Sequence, residues 1–140
     1  MKNRSLLFAL VVSIGLFATS CSDDDNDGET LIPLAGKWNI TKVGSAVGDQ
    51  EFLIDAPENE PGCSKDYLNL KINNDVEYGD YDSTDSPCQL TIKTGTYSRS
   101  HNNLTTTKDG ETKVQDIMNL TLNELKVKDA TGVISVYERD

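Results

Sequence analysis

Beyond residue 66, four short runs alternate apolar and polar residues with a period of two. They are Tyr67-Leu68-Asn69-Leu70-Lys71-Ile72, Gln89-Leu90-Thr91-Ile92-Lys93, Met118-Asn119-Leu120-Thr121-Leu122 and Leu125-Lys126-Val127-Lys128. Successive side chains of a strand point to opposite faces, so each run has one face to bury and one to leave in water. Thr and Val are plentiful, and no Ala-rich helical window competes. Turn signals separate the runs: Gly48-Asp49, Asn73-Asn74-Asp75, Asp109-Gly110 and Ala130-Thr131-Gly132. Short links between alternating strands make an antiparallel meander. The pattern predicts strands near 36–43, 51–55, 67–73, 76–82, 89–98, 103–107, 113–122 and 125–128, with a last one at 132–139. The phase slips between Leu122 and Leu125, so Asn123-Glu124 is either a tight turn or a bulge.

An open meander of this length leaves exposed edges, and closure into a barrel removes them. The expected fold class is therefore all-β, a small antiparallel meander barrel of about eight strands. Such a barrel is just wide enough to fill with side chains or to hold one small ligand. Leu68, Leu70, Ile72, Leu90, Ile92, Leu120 and Leu122 are the expected filling.

The first thirty residues belong to a different problem. Lys2 and Arg4 make a basic start, Leu6 to Phe17 carries no charge, and the small residues Ala18, Thr19 and Ser20 follow. Twelve residues of helix rise about 18 Å, too short for a bilayer core of about 30 Å. An ordinary signal peptide cut after Ser20 is one reading. The other is lipidation, because Ala18-Thr19-Ser20-Cys21 resembles the lipobox of bacterial lipoproteins. That resemblance implies a diacylglyceryl group on the Cys21 thiol, cleavage before Cys21 and acylation of its amine. Each buried CH₂ contributes about 0.8 kcal/mol and a single chain is marginal, so more than one is needed for stable anchoring. Asp23, Asp24, Asp25, Asp27 and Glu29 then crowd five carboxylates into seven residues. Such a run repels itself and stays solvated, so a tether is the plain reading. Directly after the cysteine, Ser22-Asp23-Asp24-Asp25 also resembles the export signal of Bacteroidetes-type surface lipoproteins. That resemblance implies an outer-membrane, surface-exposed protein, with a periplasm-facing anchor as the alternative. The expected organisation is 1–20 signal peptide, 21–33 lipidated cysteine and acidic tether, and 34–140 barrel domain.

The chain has three cysteines, Cys21, Cys63 and Cys88, and an odd cysteine in an exported protein needs an explanation. If Cys21 carries lipid, Cys63 and Cys88 are left to pair in an oxidising compartment. Beyond residue 30 the chain keeps 18 acids against 11 bases. An acidic surface argues against nucleic acid or anionic lipid as partner.

The opening Leu34-Ala35-Gly36-Lys37-Trp38 resembles the first strand of a lipocalin. That superfamily opens its barrel with Gly-x-Trp, here Gly36-Lys37-Trp38, and the Trp closes the barrel floor. A late Arg commonly packs over it, and Arg139 is the candidate. The fuller resemblance is to short bacterial lipocalin-like lipoprotein domains. They show a cysteine before a strand, here Cys63-Ser64-Lys65-Asp66-Tyr67-Leu68, then a second, Cys88, before Gly95-Thr96-Tyr97. Leu120-Thr121-Leu122-Asn123-Glu124-Leu125 and a closing Val136-Tyr137-Glu138-Arg139 complete the order. The chain shows neither a C-terminal helix nor the second and third lipocalin motifs.

Little else in the sequence carries chemistry. His101, the only histidine, sits in the polar turn Ser98-Arg99-Ser100-His101-Asn102-Asn103, and no second His stands at ligand spacing. Asp75, Glu77, Asp80, Asp82 and Asp85 suggest a calcium loop, but an EF-hand loop from Asp80 needs Gly and Glu where Asp85 and Thr91 stand. Solvated loop acids are the reading, and neither metal nor cofactor is expected. No serine lies in a nucleophile motif, so a non-enzyme is expected. Asp82-Ser83-Thr84 resembles the short O-glycosylation acceptor of Bacteroidetes exported proteins. The function expected is a membrane-anchored surface lipoprotein whose barrel binds a small apolar or amphipathic molecule. The alternative is an accessory protein that meets a surface protein or glycan partner with the barrel as rigid scaffold, and an enzyme is a weaker third.

Overall fold

The computed structural model describes residues 33–84 and 87–140. Residues 1–20 (expected as a signal peptide), Cys21, the acidic run 23–29 and Asp85 lie outside the described residues. Nine strands follow one another: β1 (Gly36–Val47), β2 (Gln50–Asp55), β3 (Tyr67–Leu70), β4 (Asp75–Asp82), β5 (Gln89–Ser100), β6 (Asn103–Lys108), β7 (Glu111–Leu120), β8 (Glu124–Asp129) and β9 (Val133–Arg139). No helix occurs among the described residues. Every pairing is antiparallel, and β9 returns to β1, so β1 and β3–β9 close an eight-stranded barrel with β2 as the extra strand.

β2 and β3 share one edge of β1. Gly36 to Asn39 of β1 pair with β3, and Lys42 to Val47 pair with β2. Residues 56–66 leave the wall between the two and are tied back to it. Asn59 donates from Nδ2 to the Ile40 carbonyl at 2.8 Å and accepts the Asp66 N–H at 2.9 Å. The Cys63–Cys88 disulfide, with Cα atoms 5.8 Å apart, bolts this excursion to the β4–β5 connection.

The β1–β2 hairpin bends outward. Lys126 Nζ on β8 meets Glu51 Oε2 on β2 at 2.8 Å, although β9 and β1 lie between those strands. A flat sheet would hold the two side chains out of reach, so the hairpin curls over the outer wall. The curl needs Gly44, where a Cβ would stand 1.8 Å from the Phe52 carbonyl oxygen. It explains why Ile134 and Val136 are buried, although their neighbour Ser135 is buried as well.

The interior is filled at one end. Trp38, Leu68, Leu70, Val76, Leu104, Ile117, Leu125 and Val127 form one buried cluster, with Tyr78, Tyr97, Leu120 and Tyr137 packed against it. Of the seven expected fillers, Leu68 and Leu70 are buried and Leu120 is half-buried. The other four are corrections. Ile72 is 93% exposed because β3 ends at Leu70 and residues 71–74 turn, the Asn74 N–H donating to the Lys71 carbonyl. Leu122 is exposed in the β7–β8 turn, where Thr121 Oγ1 accepts the N–H groups of Asn123 and Glu124. Leu90 and Ile92 lie opposite Tyr81 and Gly79 on the outer face. The phase slip at 123–124 is thus a tight turn, and a separate bulge lies between Ile117 and Asn119.

Candidate functional site

One end of the barrel is sealed by a lock built from both chain segments. Trp38 is fully buried and donates from Nε1 to the Leu34 carbonyl at 2.8 Å. Arg139, its cross-strand partner, holds its guanidinium carbon 4.1 Å from the Trp38 ring centroid. That guanidinium also donates to the carbonyls of Leu122 at 2.8 Å, Ala35 at 3.1 Å and Pro33 at 2.8 Å. The planar fork of five donors suits such divergent acceptors where a lysine ammonium would not. Gly36 makes room for it, since a Cβ there would lie 2.4 Å from Arg139 Nη1 and its φ is +150°. Lys37 and Asn39 hold the Asp140 carboxylate at 2.9 Å and 3.1 Å, which pins the end of β9 to β1. These contacts are the floor.

The opposite end is lined differently. Residues paired across neighbouring strands share a face, so the lumen can be read along the register. Tyr78 packs on the core, and Lys93 is its partner on β5. Buried Leu104 and Thr106 on β6 face Gln115 and Lys113 on β7. Lys108 reaches back across β5 and places its ammonium 5.0 Å from the Tyr78 ring centroid. Lys113 Nζ lies 3.3 Å from Asp129 Oδ2. On the far wall, core Val127 pairs with Ser135, Ser135 with Val43, and Val43 with Ile54. Ile54 and Phe52 ride the outward-curling hairpin and are 64% and 57% exposed. The inward-facing side chains at this end therefore include Tyr78, Lys93, Lys108 and Lys113, while Phe52 and Ile54 leave the lumen with the hairpin.

Its electrostatics follow from burial. Tyr137, inside the barrel near Tyr78 and Glu58, has its phenol pushed up to about 12, first by burial, so it stays neutral. Burial also raises the Asp66 carboxyl against the pull of the Tyr81 N–H, and Asp80, Glu58 and Glu60 nearby add to the rise. The acids singled out in the sequence are spread out. Asp75 takes a hydrogen bond from Asn73, Glu77 takes Lys71 and Asn69, and Asp82 takes Thr84. Among the described residues, no three His, Cys, Asp or Glu side chains gather as metal ligands. His101 is exposed in the two-residue β5–β6 turn with a φ of +53°. Ser83 is exposed, and its hydroxyl and N–H both donate to Glu60 Oε2.

Residues 34–127 match the family model described as a lipocalin-like domain. The chain belongs to that family. The fold of this lipocalin-like domain is also similar to two solved structures. One is a lipocalin-like protein from Bacteroides uniformis, with TM-score 0.58 and 13% identity over 76% of this chain and 98% of that one. The other is an uncharacterized protein from Bacteroides eggerthii, with TM-score 0.56 and 10% identity over 77% of this chain and all of that one (100%). No curated protein matches the sequence.

The lipocalin resemblance singled out Gly36, Trp38 and Arg139, which meet at one end of the barrel, while the inward-facing Tyr78, Lys93 and Lys108 were not singled out from the sequence. A signal for β5 was present. Tyr97 packs on the core and lies an even number of residues from Lys93, so the two share the inner face of one strand.

Proposed function

We propose that this lipocalin-like domain binds a small apolar or amphipathic molecule in the mouth of its barrel. The observation that carries the reading is the asymmetry of the lumen. The Trp38–Arg139 end is closed and buried, while inward-facing Lys93 and Lys113 at the other end remain exposed. Pockets for such ligands combine apolar walls with a few polar groups, and the end opposite the Trp38–Arg139 lock turns Tyr78, Lys93 and Lys113 inward. The test is titration with N-phenyl-1-naphthylamine, a neutral apolar fluorophore. Fluorescence should rise to saturation, and the melting temperature should climb with ligand concentration as mass action requires. No rise in either would remove the reading.

A surface-interaction role is favoured by a separate observation on the outer wall. Tyr67 and Tyr81 have ring centroids 6.3 Å apart, with Leu90 and Ile92 exposed at 40% and 50% on the same face. Either role fits a protein held at the outer membrane through acylated Cys21, with the acidic run 23–29 as surface-export signal. Cys21→Ala should release the protein from membranes and abolish labelling by an alkynyl fatty acid. Replacing Asp23, Asp24 and Asp25 with Ala should keep the anchor and reduce labelling of whole cells by an impermeant reagent. Equal labelling of both forms would remove the sorting role.

A further inference from the structure

We propose that the free edge of β2 takes an added strand, and that its partner is an extended segment of another protein in which apolar residues alternate with basic ones. Neither the lumen nor the Tyr67–Tyr81 face takes part in it. Among the described residues, closure of the barrel gives every strand but one a neighbour on each side, and β2 has β1 alone. In an antiparallel pair, residues that exchange both bonds with the partner alternate with residues whose N–H and C=O point away from it. The Ala56 N–H donates to the Thr41 carbonyl at 2.9 Å, which continues the Asp55–Lys42 register by one residue. Ile54, Phe52 and Gln50 are therefore the residues bonded to β1. The N–H and C=O groups of Glu51, Leu53 and Asp55 face the free edge, and no turn, loop or side-chain hydrogen bond among the described residues reaches them.

Proteins blunt an exposed edge with proline, lysine, a bulge or a covering element. Gln50-Glu51-Phe52-Leu53-Ile54-Asp55 has neither proline nor lysine, and its register with β1 is unbroken from Gln50 to Asp55. Phe52 and Ile54 are exposed on one face of the strand, and exposed Val47, opposite Gln50, extends that face. Charge selects the partner. The other face carries Glu51 and Asp55, and Asp49 stands in the turn before the strand. Lys126 pairs with Glu51, while Lys42 lies across from Asp55 without an ion pair. A second copy set antiparallel about Leu53 would bring Glu51 opposite Asp55 twice, and one set about Phe52 would bring Asp55 opposite Asp49. Like charges directly opposite destabilise a sheet. A strand with apolar residues against Phe52 and Ile54, and lysine or arginine against Glu51 and Asp55, suits both faces. In such strand addition the backbone bonds give affinity and the alternate side chains give specificity.

The experiment titrates the protein into three fluorescein-labelled peptides and reads fluorescence anisotropy. The first is Thr-Lys-Val-Thr-Ile-Lys-Thr. The second carries Glu for both Lys. The third is the first with N-methyl groups on the amides of both Lys and the central Thr, which would face β2. The basic peptide should bind about tenfold more tightly than the acidic one, and N-methylation should weaken it by about tenfold or more. Hydrogen exchange reports the place of binding. In the free protein the Glu51, Leu53 and Asp55 amides should exchange faster than those of Phe52 and Ile54, and saturating basic peptide should slow the first three. Phe52→Thr/Ile54→Thr should weaken the basic peptide by about tenfold and hold the melting temperature, since both side chains are exposed and Thr suits a strand. An N-methylated peptide that binds as tightly as its parent, or three amides that gain no protection, would overturn strand addition. Equal affinity for the basic and acidic peptides would overturn the basic partner. Dimerisation in sedimentation velocity, with the same amides protected in the absence of peptide, would give the edge to a second copy and overturn the proposal.

Discussion

Replacing Arg139 with Ala should be among the most damaging single changes at the protein's surface. The part-buried bond from Nη1 to Ala35 would contribute about 1–2 kcal/mol as a charged hydrogen bond, and the exposed bonds to Leu122 and Pro33 about 0.5 kcal/mol each. The guanidinium over a fully shielded indole adds about 1–2 kcal/mol. The sum is about 3–5 kcal/mol, or a fall in melting temperature of about 12 °C or more for a domain of this size. Urea unfolding followed by Trp38 fluorescence measures it, because Trp38 is the only tryptophan. The native emission of the variant should also shift to the red, since the lid over the indole is gone. Arg139→Lys keeps the charge and loses the fork, so it should recover less than half of the loss. Gly36→Ala should cost about 2 kcal/mol alone, but less in the Arg139→Ala background, where the atom it would strike is absent. An Arg139→Ala variant within about 1 kcal/mol of the natural protein, with unshifted emission, would refute the lock.

Reduction of the Cys63–Cys88 bond, which closes a loop with a sequence separation of 25, should cost about 3.5 kcal/mol in urea unfolding. Equal midpoints with and without reductant would show that the excursion needs no bolt. Asp129 is held down to about 2 from the ordinary 3.8, chiefly by the Thr131 hydroxyl, with Val133 N–H and Lys113 adding and burial opposing. Its folded value is depressed, so its contribution should be complete above about 3.8 and be lost as pH falls towards about 2. Asp129→Asn should lower stability at pH 6 and flatten the acid limb in that window; an unchanged acid limb would mean that other carboxylates carry it. Glu51→Ala should loosen the β1–β2 hairpin, seen as faster amide exchange in Gln50–Asp55, with little change in global stability because the ion pair is partly solvated. Unchanged exchange there would show that buried Ile134 and Val136 hold the hairpin without the ion pair.

Sequence alone determined which stretches are strands and where the chain turns. Period-two alternation is local and needs no partner, and the Asp109-Gly110 and Ala130-Thr131-Gly132 signals mark turns that the structure contains. The Gly36-Lys37-Trp38 motif and the late Arg139 were linked only through the resemblance to lipocalins, since nothing local to either residue joins the two ends of the chain. What only the tertiary structure decided is which face of a strand turns inward. In Gln89-Leu90-Thr91-Ile92-Lys93 the apolar face looked like the core, yet Leu90 and Ile92 face outward and Lys93 faces the lumen. Alternation has the same period for either choice, so the strand itself cannot decide. Pairing with β4 and β6 decides, since core Val76 must face Gly95, and core Tyr97 must face buried Thr106. The outward curl of the β1–β2 hairpin was equally hidden, because it depends on Gly44 meeting Phe52, and on Lys126 meeting Glu51 across 75 residues of chain.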